Sequence, residues 1–254
     1  MKIWISGASG YIGVNLIKLL QELECDYFNY DLTYGYDILN DGQVRKTMKG
    51  CDSVIHLAAQ PNITYCEKNI EEAVETNVYG TVVVARVAKY YDLPVVFIST
   101  IAAKTAHNVY GLTKRLAEKI VLNNGGVVLR LANVYGGLGY LSRKNTALAS
   151  FINHRAKGLE ATIYGDGSAT RDFIHIEDVC QAIVHGLTAP PGVYEICTGR
   201  QVSIKELADM VGVTYKHASE RAGDISNIPM EPSIEALGWS PMIQLEEGLE
   251  ELKK

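Results

Sequence analysis

The chain has 254 residues, 47% of them hydrophobic and 21% charged, enough to bury a substantial core as one large or two small domains. Its net charge of −5 argues against a broad nucleic-acid footprint, which would be basic, yet leaves room for a small anion held by a few arginines. Five cysteines without a C-x-x-C pair argue against a metal site and suit reduced thiols in the cytoplasm, and no apolar run approaches the ~18 residues of a membrane span.

The N-terminus reads as a core strand, not as a signal peptide. In KIWISGASGYIG (2–13), Ile3, Trp4 and Ile5 form a short buried strand. The chain then turns through Gly7, Gly10 and Gly13 into an amphipathic helix carrying Val14, Leu16, Ile17, Leu19 and Leu20. Strand, glycine turn and helix in that order is the setting for dinucleotide binding, although the spacing is G-x-x-G-x-x-G and not the commoner G-x-G-x-x-G. Gly7 permits the turn, Gly10 leaves room for a pyrophosphate, and Gly13 lets helix and strand pack closely. The helix start offers free N–H groups to phosphate.

A second strand at 27–30 ends at Asp31, 18 residues beyond Gly13. An acid there can accept hydrogen bonds from the adenosine ribose and repels a 2′-phosphate, which favours NAD over NADP. Asp37, Ile38 and Leu39 follow, then a polar helix to Lys49. Residues 54–57 form a third strand, 71–89 a helix rich in valine and alanine, and 95–98 a fourth strand ending at Ser99 and Thr100. A helix over 108–122 stops at Asn-Asn-Gly-Gly, and 127–131 form a fifth strand. Strands alternating with helices predict an α/β fold: a Rossmann-like, doubly wound parallel sheet.

From Gly136 the texture changes. Gly136, Gly137 and Gly139 suggest a flexible segment. A helix over 146–157, strands at 161–164 and 172–176, a helix to Leu187, a strand at 194–197 and helices at 202–211, 233–237 and 245–252 follow. We expect residues 1–135 to form the cofactor domain, with a contribution from about 168–190, and 136–254 to form mainly a smaller C-terminal substrate lobe.

Tyr110 and Lys114 stand four apart on a helix and share a face. A free phenol, with a pKa near ~10, is a poor base at neutral pH; lowering it by about 3 units needs roughly 4 kcal/mol of preferential stabilisation of the phenolate. A nearby ammonium and an oxidised nicotinamide could supply that in a dry site. Thr100 ends the preceding strand, on the side where ligands bind in open α/β sheets.

In its ordered motifs the chain resembles the extended short-chain dehydrogenase/reductases, within the NAD-dependent sugar epimerase/dehydratase family. The motifs are the glycine loop, Asp31, Asp37-Ile38, HLAAQ (56–60), TNVYGT (76–81), IST (98–100), YGLTK (110–114), LRLANVYG (129–136), IYGDGSATRDFIHIEDV (163–179), YEICTGRQVSIKEL (194–207), RAGD (221–224) and LGWSP (237–241). The resemblance implies Tyr110 as acid/base, Lys114 as its electrostatic partner and ribose ligand, and Thr100 as the hydrogen-bond partner of the reacting sugar oxygen. It implies cofactor contacts from Gly7, Gly10, Tyr11, Ile12, Gly13, Asp31, Asp37, Ile38, Leu57, Ala58, Ala59 and Asn77, the last supporting the helix behind. Asn133, Tyr164, Arg171 and Arg221 would hold a nucleotide sugar, arginine suiting its diphosphate. His56 and His175 lie in apolar strands and read as structural.

Departures narrow the reaction. Family dehydratases carry Asp-Glu after the catalytic threonine, and sugar-acid decarboxylases also carry a Glu there; here Ile101 and Ala102 follow, and neither shuttles a proton. The Thr100–Tyr110 loop is shorter than the family norm, and Ile228 stands near where epimerases carry a sugar-contacting tyrosine. The resemblance is closest to UDP-glucose 4-epimerases, with a UDP-sugar substrate and a homodimer built through a four-helix bundle. A net keto-sugar reductase or dehydrogenase, and a non-catalytic nucleotide sensor, are the alternatives.

Overall fold

The computed structural model describes residues 1–143, 146–219 and 227–253. The first half runs β1 (Lys2–Ser6), α1 (Tyr11–Glu22), β2 (Asp26–Tyr30), α2 (Asp41–Met48), β3 (Ser53–His56), α3 (Ile63–Lys68), α4 (Ile70–Val74), α5 (Gly80–Tyr90), β4 (Val95–Thr100), α6 (Ala102–Thr105), α7 (Val109–Asn123) and β5 (Val127–Leu131). The second half runs β6 (Asn133–Tyr135), α8 (Ala147–Ala156), β7 (Ala161–Tyr164), β8 (Thr170–His175), α9 (Ile176–Gly186), β9 (Gly192–Ile196), β10 (Gln201–Ser203), α10 (Ile204–Val211), β11 (Tyr215–Ala218), α11 (Ile234–Leu237) and α12 (Leu245–Leu252).

The main sheet is parallel throughout, in the order β2-β1-β3-β4-β5-β9. Its central strands β1, β3, β4 and β5 are buried on both faces because alternate side chains serve opposite layers. Ile3 and Ile5 point into one core with Leu16 and Leu20 of α1 and Val179 and Ile183 of α9. Trp4, between them, joins the other core with Val44, Met48, Val83, Val87 and Val121 from α2, α5 and α7. Strand order reverses between β1 and β3, which opens a crevice at their C-terminal ends. β9 and α9 come from the second half of the chain but complete this sheet and its helical layer.

A third core, including Tyr135, Tyr140, Phe151, Phe173, Leu207 and Leu249, builds the smaller lobe. It carries a three-stranded sheet, β10-β8-β6, and a pair, β11-β7.

Several local expectations change. The helix expected over 71–89 is interrupted by a π-turn at Glu75–Tyr79. The helix expected from Val202 begins later, because Gln201–Ser203 pair antiparallel with β8 before the Ser203 side chain caps α10 at Glu206 N (3.0 Å). The glycine segment is anchored: Tyr11 Oη donates to Gly136 O (2.8 Å), and Leu138 N donates to Asn15 Oδ1 (2.9 Å). The glycines at 136, 137 and 139 serve left-handed backbone, with φ of 86°, 65° and 76°.

Candidate active site

A cleft of about 770 Å³ runs along the C-terminal ends of the main sheet and under the smaller lobe. That volume suits a ligand site. At one end the glycine turn forms its floor. Gly7 has φ of 70°, and a Cβ there would lie 2.7 Å from Ala58 N. A Cβ on Gly13 would lie 2.4 Å from Ala8 O and 2.6 Å from Gly7 O. At Gly10 a Cβ would meet one atom only, Gly7 O at a tight 3.2 Å, and the position otherwise opens on the cleft. Asp31 braces this turn from the end of β2: its Oδ2 accepts from Ser9 N (3.1 Å) and its Oδ1 from Thr33 N (3.0 Å). Behind the floor, buried His56 bridges Ser6 Oγ (2.6 Å) and Thr81 Oγ1 (3.0 Å). Burial pushes its imidazole down to about 3, so it is a neutral strut.

In mid-cleft, β4 delivers Thr100 and α7 delivers Tyr110 and Lys114. Asn108 starts α7 cleanly, its side chain accepting from Gly111 N (2.8 Å). Gly111 is required there, since a Cβ would lie 2.5 Å from Ala102 O. Thr100 hydrogen-bonds the Tyr110 phenol, but burial dominates and pushes that phenol up to about 12. Lys114 is 2% exposed, and burial pushes its ammonium down to about 7 against the pull of Glu118. It lies 3.9 Å from the Phe97 ring centroid. Glu118 is already engaged by Arg130 (2.9 and 2.7 Å) and Ser99 Oγ (2.5 Å). The chain alone therefore holds Tyr110 protonated and Lys114 close to its titration point at neutral pH, the opposite of a phenol lowered by the protein itself.

The cleft lining includes Thr100, Tyr110, Lys114, Gly7, Gly10, Tyr11, Ile12, Gly13, Asp31, Asp37, Ile38, Leu57, Ala58, Ala59, Asn133, Tyr164 and Arg171. Asn77 is not part of that lining. It is 1% exposed and acts from behind, accepting from Gln60 N (2.7 Å) and donating to Gln60 O (3.2 Å) and Thr113 Oγ1 (3.1 Å). It thus ties the loop after β3 to α7. Arg221 lies outside the described residues. The structure adds Tyr36, Met230 and Arg143 to the wall. Tyr36 stacks on Tyr30 (5.1 Å between centroids) beside Asp37. No motif marked Arg143, whose place depends on how residues 136–143 fold back onto α1.

The profile of the family described as "NAD dependent epimerase/dehydratase family" matches residues 3–197. The chain belongs to this family. A Methanocaldococcus jannaschii protein provisionally named UDP-glucose 4-epimerase is 28% identical over 97% of this chain and 95% of its own length. The UDP-glucose 4-epimerase of Thermotoga maritima, solved with UDP-glucose, superposes with a TM-score of 0.89 at 24% identity, covering 98% of this chain and 96% of that one. A variant of the UDP-glucuronic acid 4-epimerase of Bacillus cereus, solved with a fluorinated UDP-glucuronic acid and NAD, gives 0.88 at 25% identity over 98% and 97%. Relatives also include a dTDP-D-glucose 4,6-dehydratase and a UDP-glucuronic acid decarboxylase. NAD is the family's cofactor, and the residues here fit it: a Cβ-intolerant glycine floor, an open Gly10 and an acid at the end of β2.

Proposed function

We propose that the chain is a nucleotide-sugar 4-epimerase acting on a UDP-sugar. The observation that carries this reading is the meeting of Thr100, Tyr110 and Lys114 in one cleft whose neighbouring wall is Ile101 and Ala102. Elimination and decarboxylation need a further proton-carrying side chain beside the threonine, and neither of these residues has one. Bound NAD supplies reversible acceptance of a hydride from a sugar carbon. Tyr110 takes the proton of the sugar hydroxyl and returns it, Thr100 holds that oxygen, and the Lys114 ammonium favours the phenolate when both are desolvated. The glycine turn, Asp31, Asp37, Ile38 and residues 57–59 hold the dinucleotide, and Asn77 braces them. Asn133, Tyr164, Arg171 and Arg221 hold the nucleotide sugar.

In this reading residues 1–135, with α9 and β9, form the cofactor domain, and the remainder forms the substrate lobe. The protein works as a homodimer in the cytoplasm. Supporting the dimer, Ile70, Val74 and Tyr79 on the α4–α5 stretch and Leu112 and Leu116 on α7 are exposed. Such a run of apolar side chains suits a helical interface. Among the described residues no helix is long and apolar enough to cross a membrane.

The test offers UDP-glucose, UDP-N-acetylglucosamine and UDP-glucuronic acid to the purified protein and follows product stereochemistry by NMR together with NADH absorbance. We expect a C4 epimer with no net NADH. NADH in proportion to substrate consumed would replace this reading with a net dehydrogenase. Sizing at micromolar concentration checks the dimer, which a monomeric elution would refute.

A further inference from the structure

Several arginines of this chain pair with carboxylates. Arg45 pairs with Asp41 (2.7 Å), Arg86 with Asp41 (2.8 Å), Arg130 with Glu118 (2.7 Å) and Arg200 with Glu246 (2.7 Å). Among the described residues no carboxylate pairs with Arg143. Its guanidinium carbon sits 4.5 Å from the Tyr11 ring centroid, and Nη1 reaches Val134 O at 3.4 Å, a long contact. Stacking uses the flat face of the guanidinium; its edge meets the Tyr11 hydroxyl and Val134 O, and with five N–H donors it keeps further ones for a ligand in the cleft that Arg143 lines.

Several contacts hold this placement. Arg143 follows a tight turn at Tyr140–Ser142, and its N–H donates to Tyr140 O (3.0 Å). Tyr140 is 1% exposed and packs on Tyr11, with centroids 5.9 Å apart. Tyr11 and Asn15 fasten the preceding loop to the first turn of α1. Tyr11 lies immediately after Gly10, the open point of the glycine floor. A guanidinium without a carboxylate partner, stacked on Tyr11 at the cleft wall, matches the charge and the planar geometry of phosphate oxygens.

We propose that Arg143 is an anion ligand for a diphosphate bound in this cleft, reaching from the smaller lobe across the first turn of α1. This rests on the nucleotide-sugar reading above. Two molecules in that reading carry the required chemistry, the dinucleotide and the sugar nucleotide, and the experiment separates them. NAD and UDP are titrated separately by calorimetry into wild type, R143M and R143K, after charcoal removal of any copurified nucleotide.

R143M is expected to weaken one of the two ligands at least tenfold, about 1.4 kcal/mol, with a shallower salt dependence for that ligand. R143K should recover only part of the loss, because an ammonium lacks the planar fork. Loss confined to NAD assigns Arg143 to the cofactor diphosphate; loss confined to UDP assigns it to the substrate. Wild-type affinity of R143M for both overturns the inference and leaves the epimerase reading standing. A wild-type protein that binds neither nucleotide overturns both. Thermal unfolding of the ligand-free variants checks the fold, and R143Q replaces R143M in the same comparison if the latter fails to fold.

Discussion

Lys114 should make the ligand-free protein less stable than it could be. Its side chain is 2% exposed, and its neighbour Glu118 is occupied by Arg130 and Ser99. Burial moves the ammonium from 10.5 to about 7, which at roughly 1.4 kcal/mol per pKa unit corresponds to about 5 kcal/mol. Lys114→Met fills the same space without charge. It forfeits the contact with Phe97, about 1–2 kcal/mol for a desolvated cation over a ring. The net gain is on the order of 3 kcal/mol below neutral pH, or about 10 °C in melting temperature for a chain of this size.

The pH dependence carries a sign. Between about pH 7 and 10.5 the folded protein binds fewer protons at Lys114 than the unfolded chain does, so wild-type stability from this group rises with pH across that window. The advantage of Lys114→Met should therefore shrink by about 3 kcal/mol between pH 6 and pH 9. Urea denaturation of both proteins at the two pH values, followed by tryptophan fluorescence, measures this directly. A variant no more stable than wild type at pH 6, or an advantage constant with pH, would refute the reasoning.

Tyr110→Phe should lower kcat by about 10²–10⁴ while leaving NAD content and melting temperature unchanged; surviving full activity in a turnover assay would remove Tyr110 from the chemistry. Gly13→Ala and Gly10→Ala should separate packing from binding. The first drives a Cβ to 2.4 Å from the backbone oxygen of Ala8 and should cost about 1–3 kcal/mol of stability, whereas the second, whose Cβ lies 3.2 Å from Gly7 O, should melt closer to wild type yet bind NAD more weakly. Glu118→Gln breaks the buried pair with Arg130, and chemical denaturation should show a loss of about 3–5 kcal/mol.

The glycine turn was legible in the sequence because its constraint is local: two backbone positions, Gly7 and Gly13, with no room for a side chain, and Gly10 between them on the cleft, all between a strand and a helix. Asp31 was legible as a residue at a fixed distance from that turn. The doubly wound sheet followed from alternating apolar runs. The π-turn at Glu75–Tyr79 leaves no mark in a valine- and alanine-rich helix pattern. β10 and β11 were missed because each is only three or four residues long and takes its pairing from a partner distant in the chain. The motif carried Asn77 and its support of the helix behind the wall, but not its partners Gln60 and Thr113, which arrive from other elements. Arg143 was invisible for the same reason. The role proposed for it depends on Tyr11, more than a hundred residues earlier. Lys114 and Tyr110 share a helix face as spacing dictates, but the direction of their protonation behaviour depends on burial, which spacing does not report.

The last strand of the main sheet has a consequence for synthesis. β9 closes the sheet beside β5, and it emerges only after the smaller lobe's β6, β7 and β8 have been made. A nascent chain that has finished β5 would hold an apolar parallel strand with a bare edge, the kind of surface that pairs with other chains. Its protection waits for some sixty further residues, during which loop closure opposes the final pairing. A truncation after residue 135 should accordingly aggregate instead of yielding a free cofactor domain, which would make the two lobes one unit of folding even under the division of binding proposed above.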